Sequence, residues 1–162
     1  MAPALQIFTA DLSNPSHAEA IVALTNAYAE DDMGNGGPLP AEVLQQLIPG
    51  LREHPTTLIL LAYLGEEPVG IATCFLGFST FAARPLVNIH DLAVLPEYRG
   101  RGFGRALLAA VEAKARELGC VKVTLEVMEN NYPARHLYAE FGFAQATYTD
   151  SAGAGLFYSK SL

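Results

Sequence analysis

Cysteine is scarce in this chain: two in 162 residues, Cys74 and Cys120. That excludes a disulfide scaffold and fits two reduced, partly buried thiols. The histidines, His17, His54, His90 and His136, are scattered without ligand spacing, so no metal is expected. Positive charge is thin as well. Ten Lys and Arg stand against seventeen Asp and Glu, a net charge of −7, which argues against nucleic acid as a general partner. No apolar run approaches the roughly 20 residues of a membrane span; residues 56–63 read as a buried strand instead. Residues 1–6 lack the basic region and apolar core of a signal peptide, so a cytoplasmic protein with no membrane partner is expected. Repeats and linkers are missing too, and one domain over residues 1–162 is expected, large enough for a single core. With 51% apolar and 17% charged residues, the composition is globular.

What positive charge there is gathers in one place. Arg99, Arg101 and Arg105 are three of ten basic residues, spaced within seven positions. They interleave with Gly100, Gly102, Phe103 and Gly104, between an apolar run at 87–95 and an amphipathic run at 102–118. Glycines at alternate positions clear side chains from a turn that opens a helix, so backbone can approach a ligand. The outward N–H groups and the positive helix end suit a phosphate or pyrophosphate. The dinucleotide fingerprint G-x-G-x-x-G fails here, since no register from Gly100 or Gly102 ends on glycine. No Gly-Lys-Ser or Gly-Lys-Thr of a P-loop occurs either.

The spacing Arg99-x-x-Gly102-x-Gly104 resembles the (Arg or Gln)-x-x-Gly-x-(Gly or Ala) motif of the GNAT superfamily of N-acetyltransferases. Downstream, Asn131-x-x-Ala134-x-x-Leu137-Tyr138-x-x-x-Gly142-Phe143 resembles the other acetyl-CoA-site motif of that superfamily, in the right order and spacing. The resemblance covers residues 69–143. Independently of it, Ala134, Leu137, Tyr138 and Phe141 share one helix face, with Pro133 near the start and Gly142 at the stop.

The elements follow from periodicity and turn chemistry. A strand is predicted at 5–9, then a helix opened by Asn14-Pro15 and running to about Ala29. After a polar loop at 30–37, Pro40 opens a second helix with Val43, Leu44 and Leu47 inward, interrupted at Pro49-Gly50. Strands are predicted at 57–63, 69–78 and 87–95. A helix follows that buries Phe103, Ala106, Leu107, Ala110, Val111 and Leu118. Alternating apolar residues predict a strand at 121–127, and after the Tyr138 helix a closing hairpin joins 144–150 to 155–161. This β-α-α-β-β-β-α-β-α-β-β order is that of the GNAT fold: an α/β (α+β) protein with a mixed, mostly antiparallel sheet and helices on both faces.

The resemblance implies acetyl transfer from acetyl-CoA to a primary amine in a ternary complex. The acceptor it suggests is a small cationic amine, as in polyamine-type members, and the protein a homodimer. Acetylation of a protein N-terminus or lysine, or a CoA-binding module without turnover, are the other readings. The 99–105 turn and Asn131 would hold the cofactor. Backbone of Leu92, Ala93 and Val94 would pair with the pantetheine arm where their strand splays from its neighbour. Tyr138 falls at the position of the general acid; an ordinary phenol, with pKa about 10, is protonated at neutral pH. Its helical spacing fits a core aromatic equally. His90 resembles in position the base of polyamine acetyltransferases, and Asn88 that of histone acetyltransferases. Asn88 cannot usefully take a proton; His90 fits either a base or water relay, or a structural histidine bonded to Asp91 or backbone. Strand alternation puts Asn88, His90 and Leu92 on one face and Asp91 on the other, in a structural part. Glu30, Asp31 and Asp32 read as an ordinary solvated loop or as a patch attracting a cationic amine, with Tyr28, Phe78 and Phe81 lining the same cleft or the core.

Overall fold

The computed structural model describes residues 1–162. Its chain order is β1 (Leu5–Thr9), α1 (Pro15–Glu30), α2 (Ala41–Glu53), β2 (Thr57–Leu64), β3 (Glu67–Ser79), β4 (Arg84–Val94), α3 (Phe103–Glu117), β5 (Val123–Leu125) and α4 (Tyr132–Glu140), with single 3-10 turns at Pro96–Tyr98 and Asp150–Ala152. Two compact units divide it, Met1–Glu126 and Val127–Leu162.

In the first unit the five strands lie side by side in sequence order. The first four pair antiparallel and β4 pairs parallel with β5. The mixed, mostly antiparallel sheet is as expected. Ile59, Leu61 and Ile71 bury one face against Ala20, Ile21 and Leu24 of α1 and Ile48 and Leu51 of α2. The opposite face takes α3, and at Gly70 the approach is close. A Cβ there would lie 3.0 Å from Leu107 and 3.1 Å from the Ala93 carbonyl, so any larger residue would push neighbours back by a few tenths of an ångström. Both cysteines are free thiols, and burial pushes that of Cys74 up to about 12. No helix is long and apolar enough to cross a membrane.

Several expectations are corrected. Pro49 does not interrupt α2: the helix carries it and runs on to Glu53. The missing N–H loses one rung, while packing of Ile48 and Leu51 into the core holds the helix together. Those two residues are the buried face of α2; Val43 is 44% exposed. On α3, Leu108 and Ala115 are buried and Leu118 is exposed. The strand expected at 121–127 shrinks to Val123–Leu125, with Val121 and Val127 exposed. In the second unit the expected closing hairpin is absent; one isolated bridge, Thr147 to Ala154, stands where the two strands were predicted. Leu156, Phe157 and Tyr158 are exposed there, so no buried face fixes a register.

Candidate active site

Two departures from regular structure in β4 shape the site. The first is a bulge. Thr73 pairs with Asp91 and Cys74 with Ile89, leaving His90 as the extra residue. Alternation therefore resets at His90. Asp91, expected on the far face, shares the α1/α2 face with Asn88, because their partners Thr73 and Phe75 are two apart on β3. The second is a splay. β5 pairs with β4 only at Val87, Asn88 and Ile89. Asn88, expected at the acceptor, donates its amide to the Thr124 hydroxyl at 3.0 Å and clamps that rung.

Beyond the bulge, β4 has a neighbour on the β3 side alone. Leu95 N–H donates to the Val69 carbonyl at 2.9 Å. By the alternation of an antiparallel ladder, Ala93 then bonds to Ile71, and the backbone groups of Leu92 and Val94 point away from β3. Ala93, expected to meet the cofactor by its backbone, spends those groups within the sheet. Arg99 Nε already occupies the Val94 carbonyl at 2.9 Å.

The turn after β4 leads into α3. Gly100 and Gly102 have φ of 74° and 84°, left-handed values that favour glycine, and a Cβ on either would face open space. Gly102 caps α3 with no side-chain bond, and the first helical turn holds no acidic residue. Ala106 N–H makes the first intrahelical bond, to the Gly102 carbonyl. The N–H groups of Phe103, Gly104 and Arg105 precede it, where a pyrophosphate fits the helix's positive end. Arg101 lies over the rings of Tyr98 and Phe103, 5.5 and 5.2 Å from their centroids, so its charge is held at this turn.

Arg99 is engaged elsewhere. Its Nη2 donates to Asp31 Oδ2 at 2.6 Å, and Asp31 Oδ1 accepts the Met33 N–H at 2.9 Å. Those bonds hold the Asp31 carboxyl below its ordinary value. Of the acidic trio, Glu30 accepts from the Asn26 amide and Asp32 is exposed. Tyr28 is half-buried; burial, then the charges of Asp91 and Asp31, push its phenol up. Burial likewise raises the Asp91 carboxyl, against a partial pull from neighbouring His90. Tyr28, Asp31, His90, Asp91 and Arg99 thus come together in the first unit. Phe78 and Phe81, expected to line the cleft or the core, are 62% and 93% exposed and so are not core residues.

A cleft of about 570 Å³ opens between α2, β3 and the His90 bulge. Its other ring-bearing residues are His54 and Phe75. Sequence reasoning missed this cleft, Asp91 and the Arg99–Asp31 pair. The apolar spacing of Val43 and Leu47 was the one available signal, and it was read as core.

In the second unit, α4 starts at Asn131, whose side chain accepts the Ala134 N–H at 3.3 Å. That amide, expected on the cofactor, is a helix cap here. At the other end Gly142 has φ 86°. Phe143 N–H returns to the Tyr138 carbonyl and Gly142 N–H to that of Ala139, a Schellman stop. The Tyr138 and Phe143 rings meet edge-on at 5.9 Å, so the stop fixes Tyr138 on its helix.

Residues 21–143 match the Acetyltransferase (GNAT) family. A thialysine N-epsilon-acetyltransferase of Caenorhabditis elegans is 28% identical over 134 residues, covering 82% of this chain and 81% of that one. Among solved structures, a probable acetyltransferase superposes with TM-score 0.80 at 22% identity, covering 96% and 99% of the two chains. The aminoglycoside N-acetyltransferase AAC(6')-Iy, in complex with CoA, superposes with TM-score 0.74 at 18% identity, covering 99% and 97%.

Proposed function

Because this chain belongs to the GNAT family of acetyltransferases, we propose that it moves an acetyl group from acetyl-CoA to a small-molecule primary amine by direct attack in a ternary complex. The observation that carries this reading is the uncapped α3 N-terminus at the end of a strand released from its β5 neighbour. A helix end without a cap and a strand edge without a partner together fit a ligand with a pyrophosphate at one end and amides along its arm. The name of the nematode relative supports an amine on a small molecule.

Acetyl-CoA supplies the activated thioester when bound. The N–H groups at 103–105 hold the pyrophosphate, with Arg101 and Arg105 adding charge. Leu92 and Val94 offer backbone to the pantetheine arm, and an N–H among them donates to the thioester oxygen as negative charge develops. One such donor is worth about 10²–10³ in rate. An acceptor amine arrives as an ammonium ion and must lose a proton first. His90, exposed on the bulge, takes that proton directly or through water. Tyr138 gives its phenolic proton to the departing thiolate.

Thiol release from acetyl-CoA, followed across a panel of primary amines, tests the reading. Release that saturates with one amine class supports it. CoA binding with no release for any amine recasts the protein as a CoA-binding module.

A further inference from the structure

The cleft beside His90 has a lining that says what it accepts. On α2, Val43, Leu47 and Leu51 recur every fourth residue along one wall. Opposite, the rings of His54, Phe75 and His90 form a row. His54 meets Phe75 edge-on at 5.0 Å, and Phe75 meets His90 at 5.7 Å and 73°. The one further polar side chain is Gln46, and no carboxylate, lysine or arginine lines the cleft. The cleft is shallow and wide open to solvent, with about 570 Å³ of space over this apolar lining.

Gly50 is the second, independent observation. It stands inside α2, where glycine weakens a helix by about 0.5–1 kcal/mol relative to alanine. Nothing in the protein requires it, since a Cβ there would meet no atom within 4 Å and the residue has no positive φ. With no side chain, it leaves the space beside it on the cleft lining unfilled. Val43 points the same way: it is 44% exposed, an apolar side chain on the cleft wall that the core does not cover. Of the acidic loop at 30–32, Asp31 has both oxygens bonded, one to Arg99 and one to Met33 N–H.

We propose that this cleft receives the apolar body of the acceptor, so that the substrate is a primary amine on a hydrocarbon or aromatic arm, such as a hexyl or phenethyl amine, rather than a polyamine. The arm lies between the Val43–Leu47–Leu51 wall and the ring of Phe75, and the amine reaches His90. This rests on the acetyl-transfer reading for its chemistry, but the cleft's preference is measurable by binding alone.

The experiment titrates hexylamine, phenethylamine and 1,4-diaminobutane into CoA-saturated protein by calorimetry and repeats the series on two variants. Gly50→Leu puts a larger side chain and a better helix former on the cleft lining, at a position where a Cβ meets no atom within 4 Å. It is expected to weaken the two apolar amines by at least about tenfold, the lower end for a change of one methylene in an apolar pocket, with CoA affinity unchanged. Val43→Glu puts a carboxylate on the wall and is expected to shift preference toward the diamine. Tighter binding of 1,4-diaminobutane than of hexylamine by the parent protein overturns the proposal, as does equal binding of the apolar amines by parent and Gly50→Leu. Apolar binding that is selective and lost in Gly50→Leu upholds the cleft's assignment even if no thiol is released. In that outcome only the acetyl-transfer reading fails.

Discussion

Helices α1 and α3 lie on opposite faces of one sheet, are 16 and 15 residues long, and begin in opposite ways. The first is closed by its own sequence: Asn14 accepts the Ser16 N–H at 3.0 Å and Pro15 needs no partner for a missing N–H. The second begins at a left-handed glycine with no cap. A helix that satisfies its own end is a structural part. One that leaves its end open, with arginine beside it, suits an anion, which is the role proposed for it. Helix α4 starts like α1, with Asn131 as its cap. The part proposed for α4 therefore falls to a side chain, Tyr138, and not to the helix end.

That difference orders the expected effects of mutation. The largest belongs to the capped α4. Tyr138→Phe keeps the ring and the Schellman stop but removes the donor, and is expected to lower kcat by about 10²–10⁴-fold. CoA affinity should stay as in the parent. Steady-state kinetics beside calorimetry read the two quantities, and a kcat within twofold would reduce Tyr138 to a packing residue.

Next comes a change at the open end of α3. Gly102→Asp puts a negative charge where the pyrophosphate is proposed to lie, at a left-handed position that also strains the backbone, so urea denaturation accompanies the binding measurement. Two charge-assisted hydrogen bonds at about 1.5 kcal/mol each predict a loss of roughly 100-fold in CoA affinity. Calorimetry that finds CoA affinity unchanged would remove the anion site from the turn.

The converse change at α1 should touch stability alone. Asn14→Ala removes its cap at a cost of about 1 kcal/mol. Urea denaturation should show that loss, and CoA affinity should not move.

The smallest effect is expected at the Arg99–Asp31 pair, which is half-exposed on the arginine side. Asp31→Asn frees Arg99 Nη2 from a competing carboxylate. CoA affinity should rise by less than about fivefold, since an exposed pair contributes about 0.2–1 kcal/mol. The gain should shrink as salt screens the charge. The pH sign follows from the depressed Asp31 carboxyl: its contribution to stability is present above the ordinary value of 3.8 and lost as pH falls through its lowered one. Asp91 runs the other way. Burial raises its carboxyl, so its stabilising share is full below 3.8 and lost as pH rises through the raised value. Denaturation of Asp91→Asn across pH should therefore show its relative gain in stability at the high-pH end.

Much of this was legible in the chain itself. Asn14-Pro15 starts a helix, apolar runs form β2, β3 and β4, and the alternate glycines stand in the turn that opens α3. These are local consequences of side-chain shape, capping and the φ freedom of glycine, which need no distant partner to act. The bulge at His90 was not legible, because it is a mismatch of register between β3 and β4 and neither strand carries it alone. With it went the facing of Asp91, which a strict two-residue period assigned to the wrong side. The continuation of α2 through Pro49, the exposure of Val43 and the engagement of Asp31 by a residue 68 positions away are of the same kind. The closing hairpin failed for the inverse reason: its alternating residues found no surface to bury against. The sequence by itself determined the caps of α1 and α4, the order of the first nine elements and which turn could meet an anion, because those depend on neighbours within a few bonds. Tertiary structure alone decided which carboxylates are already bonded, which face each site residue takes and where an apolar cleft stays open, because those depend on contacts between segments far apart in the chain.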